Sequence, residues 1–260
     1  MSNEAQELMS QAPARTRGHL ARFSACLLAI VTSFIVSGCQ SVSGTSIVTS
    51  QVRIIDASPD APAVDIYQGS NPVAYNLGFG TATSYIPISP GLYDFTADTT
   101  GTRQVLTTAR ATFATGGQYT VLISNIAASL QEIVIKDQGA SAPSGNVSLR
   151  FLDEGTATGA VDVYLVPSGS AITAVSPLVT GFTFGTNSGY LNVPAGAYKV
   201  VIYPTGSVPT ATSVGSYTGS LVTYSSGAAR TLIILDSKLL ASPAAQIITV
   251  SDYDSPSATS

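Results

Sequence analysis

The sequence has 260 residues, 45% of them apolar and 10% charged, where an ordinary soluble domain has roughly 25% charged. The apolar share excludes a disordered chain, and a net charge of −4 without any Lys/Arg cluster after Arg22 excludes phosphate-driven nucleic-acid binding and a basic membrane patch. With 23 Gly, 14 Pro and Val, Ile and Tyr in short runs, the composition predicts many short strands separated by turns.

At the start of the chain, Arg15, Arg17 and Arg22 precede an apolar stretch of 14 residues, Phe23 to Val36. Spanning a hydrocarbon core takes about 20 residues, so the stretch reads as the hydrophobic region of an export signal. It ends Val36-Ser37-Gly38-Cys39, which resembles the bacterial lipobox. The resemblance implies diacylation of the Cys39 sulfur, cleavage before it and attachment to the cell envelope by acyl chains, enough of them for stable anchoring. Gln40 in place of Asp implies an outer-membrane destination in a Gram-negative host. Cys26 leaves with the signal, so no intrachain disulfide is expected.

The body of the chain repeats. Arg53-Ile-Ile-Asp56 and Ala63-Val-Asp65-Ile-Tyr67 return as Arg150-Phe-Leu-Asp153 and Ala160-Val-Asp162-Val-Tyr164, at an offset of 97. Phe79-Gly80-Thr81 with Tyr85 returns as Phe184-Gly185-Thr186 with Tyr190, at an offset of 105. The eight added residues fall within Pro167–Pro177, read as a longer hairpin loop. Period-2 alternation predicts strands at about 52–57, 64–68, 73–77, 84–87, 91–97, 104–112, 118–125 and 132–136 in copy one. In copy two it predicts about 147–152, 161–166, 178–183, 188–193, 197–203, 217–224, 230–236 and 246–251. The expected layout is a signal at 1–38, a lipidated tether at 39–50 and a first antiparallel β-sandwich at 51–137. A linker at 138–146, flexible by composition, a second sandwich at 147–252 and a tail at 253–260 complete it.

The run Ala57-Ser58-Pro59-Asp60-Ala61-Pro62-Ala63-Val64-Asp65-Ile66-Tyr67, with Phe79-Gly80 and Pro90-Gly91-Leu92-Tyr93, resembles the bacterial family of the domain of unknown function 4397. The resemblance covers about 51–136; copy two lacks the Ser-Pro-Asp run and is a divergent member. It implies an envelope or secreted location and an all-β, immunoglobulin- or transthyretin-like sandwich, and it implies no activity.

The residues that carry chemistry are few. His19, the only histidine, lies in the signal, and the remaining cysteine is the lipidation site. Ser-His-Asp and Cys-His catalysis and His/Cys metal sites are thereby excluded. Gly78-Phe79-Gly80 lacks the third glycine and following helix of a dinucleotide site. The chain is read as a non-enzyme with no cofactor and no metal. Asp56, Asp60 and Asp65, and again Asp153, Glu154 and Asp162, could offer oxygens to calcium, but their spacing matches no known calcium loop. The structural alternative places Asp60 in a turn and Asp65 and Asp162 on outward strand positions. There Arg53 would face Asp65, and Arg150 would face Asp162, across an antiparallel hairpin. Tyr67, Tyr75, Tyr85, Tyr164 and Tyr190 are candidates for a ligand face, joined by Asp56, Asp60 and Asp153. The expected function is a surface-anchored binding or structural module. Its alternative is a carbohydrate- or polymer-binding accessory lipoprotein with an envelope protein or glycan as partner.

Overall fold

The computed structural model describes residues 48–237 and 245–254. The export signal, Cys39, the tether up to Ile47 and the tail from Ser255 lie outside the described residues. Copy one contains β1 (Ser50–Asp56), β2 (Val64–Gln68), β3 (Asn71–Leu77), β4 (Thr81–Ala82) and β5 (Ile86–Ile88). It continues with β6 (Gly91–Thr99), β7 (Val105–Phe113), β8 (Gln118–Ser124) and β9 (Gln131–Lys136). Copy two contains β10 (Asn146–Asp153), β11 (Val161–Pro167), β12 (Val179–Phe182), β13 (Thr186–Pro194) and β14 (Gly196–Pro204). It closes with β15 (Tyr217–Thr218), β16 (Val222–Tyr224), β17 (Ala229–Asp236) and β18 (Ala245–Tyr253).

Each copy is a sandwich of two sheets. In copy one, the sheet ordered β4-β1-β8-β9, with β5 also on β1, packs on the sheet ordered β3-β2-β6-β7. In copy two, β13-β10-β17-β18 packs on β12-β11-β14-β15, with β16 also on β14. The all-β sandwich expectation holds, with one departure from pure antiparallel pairing in each copy. β1 runs parallel to β8, and β10 parallel to β17.

The two sandwiches share a third core. Val52, Ile54, Val121 and Ile123 point into sandwich one. Their strand neighbours Ile55 and Leu122 point the other way and meet Leu152, Ile233 and Leu235 of copy two. The sheets containing β1 and β10 are therefore buried on both faces, which is why Ile54-Ile55, Val121-Leu122-Ile123 and Leu232-Ile233-Ile234-Leu235 are unbroken apolar runs. Each fully buried aliphatic side chain contributes roughly 1.5–3 kcal/mol. The linker follows this junction. Asp137 and Ala142 are buried, and the Ala142 N–H donates to the Gly227 carbonyl at 2.9 Å. A composition suited to flexibility is thus fixed against copy two.

Candidate functional site

The expected pairs Arg53–Asp65 and Arg150–Asp162 do not form. Between β1 and β2 the chain crosses from one sheet of the sandwich to the other, so Arg53 lies beside Thr120 and Asp65 beside Asp98. Arg53 alternates with the inward-facing Val52 and Ile54, but its own face of β1 meets copy two instead of water. Arg53 is 1% exposed and Arg150 2%.

There the two arginines build one reciprocal network. Arg53 donates through Nε to Thr120 Oγ1 at 2.8 Å, through Nη1 to the Ser251 carbonyl at 3.0 Å, and through Nη2 to Asp252 Oδ1. Arg150 donates through Nε to Thr231 Oγ1 at 2.9 Å, through Nη1 to the Lys136 carbonyl at 3.1 Å, and through Nη2 to Asp137 Oδ1 at 2.5 Å. Each arginine thus closes on the other copy's carboxylate. Within its own copy, Asp137 accepts from Thr120 Oγ1 and Tyr85 Oη, both at 2.7 Å. Asp252 accepts from Thr231 Oγ1 at 2.7 Å and Tyr190 Oη at 2.9 Å. The guanidinium carbons lie 4.9 and 4.7 Å from the centroids of the Tyr85 and Tyr190 rings. Burial, then the carboxylate of Asp137 or Asp252, raises both phenols above their ordinary range, which keeps them donors. Both phenols thus serve the junction network, and Tyr85 with Arg53 and Asp252 also lines an open pocket of about 490 Å³. Thr120, Asp137, Thr231 and Asp252 escaped the sequence reading because loop lengths drift: Thr120 and Thr231 stand 111 residues apart, Asp137 and Asp252 115.

At the far end of the same junction, Asp56 Oδ1 accepts the Ser58 N–H at 2.9 Å and Asp153 Oδ1 the Gly155 N–H at 3.0 Å. Glu154 accepts a hydrogen bond from Ser124 Oγ across the copies. Burial, partly offset by the Gly155 N–H, pushes Asp153 up to about 6. Burial, partly offset by Ser124, pushes Glu154 up to about 7. Asp60 accepts the Ala127 N–H at 2.7 Å in an exposed turn. Among the described residues no three His, Cys, Asp or Glu side chains stand close enough to hold a metal ion.

Asp65 and Tyr67 occupy the outer face of the β3-β2-β6-β7 sheet, since Val64 and Ile66 take the inner one. Asp65 ties the end of β3 to the β6–β7 hairpin tip: it accepts the Asn76 N–H at 2.8 Å, the Gly101 N–H at 3.0 Å and Thr100 Oγ1 at 3.2 Å. These hydrogen bonds, led by Asn76 and Gly101, hold its carboxyl below the ordinary range. Asn76 and Gly101 both have positive φ, 50° and 74°, conformations that Asn and Gly adopt most readily. Copy two repeats the device, with Asp162 accepting from Gly181, Gly206 and Thr205.

Over this scaffold copy one carries an open groove of about 680 Å³ lined by Asp65, Tyr67, Tyr75, Asn76 and the Thr100–Arg103 hairpin tip. Tyr75 is 63% exposed and stands edge-on to Tyr67, with ring centroids 6.2 Å apart. Arg103 lies on the Tyr67 ring, 3.8 Å from its centroid. No sequence signal marked Arg103, which arrives from the hairpin after β6. The matching place in copy two is filled. Tyr164 is buried, edge-on to Tyr203, and Ile172 and Val175 of the added loop pack against it. Of the residues proposed as a ligand face, the structure brings Tyr67 and Tyr75 together with Asp65 and places Tyr85 and Tyr190 in the junction network.

No curated protein matches the chain. Among solved structures, the Bacillus anthracis TIE protein is similar over 72% of this chain and 33% of its own, at 11% identity and a TM-score of 0.23. The chain thus spans about a third of that protein's length. A structure described as alpha-glucan binding by a streptococcal virulence factor is similar over 67% of this chain and 88% of its own, at 10% identity and a TM-score of 0.24. Residues 50–164, which run through copy one and into copy two as far as the end of its Val-Asp-Val-Tyr motif, match the family described as Domain of unknown function (DUF4397).

Proposed function

We propose that the protein is a non-enzymatic, lipid-anchored module of the cell envelope that presents a binding face on copy one, with copy two a divergent repeat of the same domain serving as its support. The observation that carries the binding face is the groove in which Arg103 covers Tyr67 beside the exposed Tyr75, on loops tied to Asp65. Fixed aromatic surface at low side-chain entropy cost is the usual currency of recognition. The Val36-Ser37-Gly38-Cys39 pattern supports the anchor, and a chain with no histidine beyond His19 supports a non-catalytic role.

Two measurements test the reading. An alkyne fatty acid should label the protein in cells, and Cys39→Ala should abolish both the label and partitioning into detergent. A photo-crosslinking residue at Tyr75 should capture an envelope component in intact cells, while the same residue at Thr180, the matching position of copy two, should capture none. Equal capture at both positions would sink the assignment of the face to copy one.

A further inference from the structure

Resting on that reading, we propose that the copy-one groove takes an uncharged saccharide, its ring stacked on Tyr75 and its hydroxyls bonded to the Arg103 guanidinium and the polar rim. Four observations carry this. First, among the described residues Arg103 donates no hydrogen bond to the protein, and the carboxylate of Asp98 is 3.8 Å away. A guanidinium already stacked on Tyr67 therefore offers its N–H fork to a ligand oxygen at little reorganisation cost. Second, Tyr75 turns an aromatic surface to solvent beside that fork, the amphipathic combination a sugar ring with one apolar face requires.

Third, the local charge disfavours an acid. The carboxylates of Asp65 and Asp98 stand against the single guanidinium, so a uronate or phosphate would meet repulsion that a neutral hydroxyl does not. Fourth, the adjoining edge is poorly suited to a peptide strand. β3 is the edge strand of its sheet, but it contains Pro72 and its pairing with β2 slips twice in register. Both features block strand addition, which leaves side chains to do the recognising. A groove of about 680 Å³ lies within the roughly 300–1,000 Å³ of small-ligand sites.

The test is titration calorimetry on the purified full-length protein in a zwitterionic detergent. Maltohexaose, cellohexaose and mannohexaose are compared with oligogalacturonate of equal length. At least one neutral oligomer should bind, with little change between low and high salt. Tyr75→Ala should weaken it about tenfold, since a stacked ring is worth about one decade. Arg103→Met, which keeps the stem on Tyr67, should weaken it about tenfold or more through the lost charged donor. Thr180→Ala in copy two should change nothing. Salt-sensitive binding of the uronate in preference to every neutral oligomer would overturn the proposal in favour of an anionic ligand. Absence of any saccharide binding, with an envelope protein captured at Tyr75, would overturn it while leaving the binding-module reading intact. Absence of both would remove that reading as well.

Discussion

The inner halves of the two copies are near replicas, and their outer halves are not. Arg53, Thr120, Tyr85 and Asp137 answer Arg150, Thr231, Tyr190 and Asp252, bond for bond. Asp65 and Asp162 likewise tie the matching strand, β3 or β12, to the matching hairpin tip through corresponding donors. Beyond that scaffold, the positions of Tyr75, Asp98 and Arg103 in copy one are held by Thr180, Tyr203 and Val208 in copy two at the offset of 105. Tyr203 stands edge-on to Tyr164, and Ile172 and Val175 of the added loop pack against the cluster that these two rings form with Val166 and Val201. The faces through which the two sandwiches grip each other match, and the opposite faces differ. Copy one presents an accessible aromatic surface, while the equivalent surface of copy two is a small core.

The inner equivalence makes the largest prediction. Arg53→Met and Arg150→Met each strand a buried carboxylate from the other copy, so each should cost about 3–5 kcal/mol. Chemical denaturation should show similar losses for the two, and the parent protein should unfold in one transition because the sandwiches share a core. A loss under 1 kcal/mol for one arginine, beside a full loss for the other, would break the equivalence. Two well-separated transitions in the parent would show that the shared core does not couple the copies.

The junction's other end is asymmetric and gives a pH signature. Glu154 is raised to about 7 and Asp153 to about 6, while Glu132 of β9, desolvated above all by burial, is raised to about 9. A carboxyl raised on folding favours the protonated state. Its contribution is complete below the unfolded value and is lost as pH climbs through the folded one. Stability should therefore decline from about pH 5 toward pH 9. For Glu154, whose ordinary value is 4.5, the decline between about pH 4.5 and 7 amounts to about 3 kcal/mol at about 1.4 kcal/mol per unit. Glu154→Gln retains a partner for Ser124 and should make the decline in that window shallower by its own share, while the shares of Asp153 and Glu132, which begin in the same window, remain. An unchanged profile in the variant would remove Glu154 from the account.

How much of this was legible follows from what alternation can and cannot say. Most strands of both copies, the repeat and the length change between Pro167 and Pro177 follow from local pattern. By contrast, β4 was not predicted, the one strand expected at 217–224 is split into β15 and β16, and Asp60 bonds Ala127, 67 residues away, instead of its own turn. Alternation also sorts Val52 and Ile54 from Arg53, but it names no occupant for the second face. A buried arginine pairing with residues 198 and 199 positions away leaves no local trace. The doubled apolar runs at Ile54-Ile55 and Leu232–Leu235 were the available sign that those sheets are covered on both sides. The groove was half legible: Tyr67 and Tyr75 stand out as aromatics on polar strands. Arg103 does not, because its place depends on how the hairpin tip folds back over β2.

A smaller effect sharpens the match between the loop anchors. Asp65 and Asp162 each accept two backbone N–H groups and one threonine hydroxyl, so Asp65→Asn and Asp162→Asn should each cost about 1.5–3 kcal/mol. That exceeds what an exposed cross-strand pair would contribute. Asp65 is held below its ordinary value of 3.8, so the stability it adds is present above that value and is lost as pH falls through its folded one. Calcium should leave the melting temperature of both parent and variants unchanged. A calcium-dependent rise abolished by Asp65→Asn would replace the loop-anchor role with a metal site.

The smallest expected effect falls on the loop that distinguishes the outer faces. Ile172 and Val175 are partly buried against Tyr164, Val166, Val201 and Tyr203. Replacing one with serine removes part of a side chain's apolar burial, a cost of about 1 kcal/mol. The informative readout is exposure. In the parent, Tyr164 is 4% exposed and burial raises its phenol, so a nitrating reagent that needs the accessible phenolate should modify Tyr75 well before Tyr164. In Ile172→Ser the cover over the ring is thinned, and Tyr164 should gain reactivity, read by mass spectrometry of tyrosine peptides, while Tyr75 stays as it was. If Tyr164 remains protected, Tyr203 alone seals the face and the added loop is incidental to the divergence. If it reacts, the eight added residues are what close in copy two the surface that copy one leaves open.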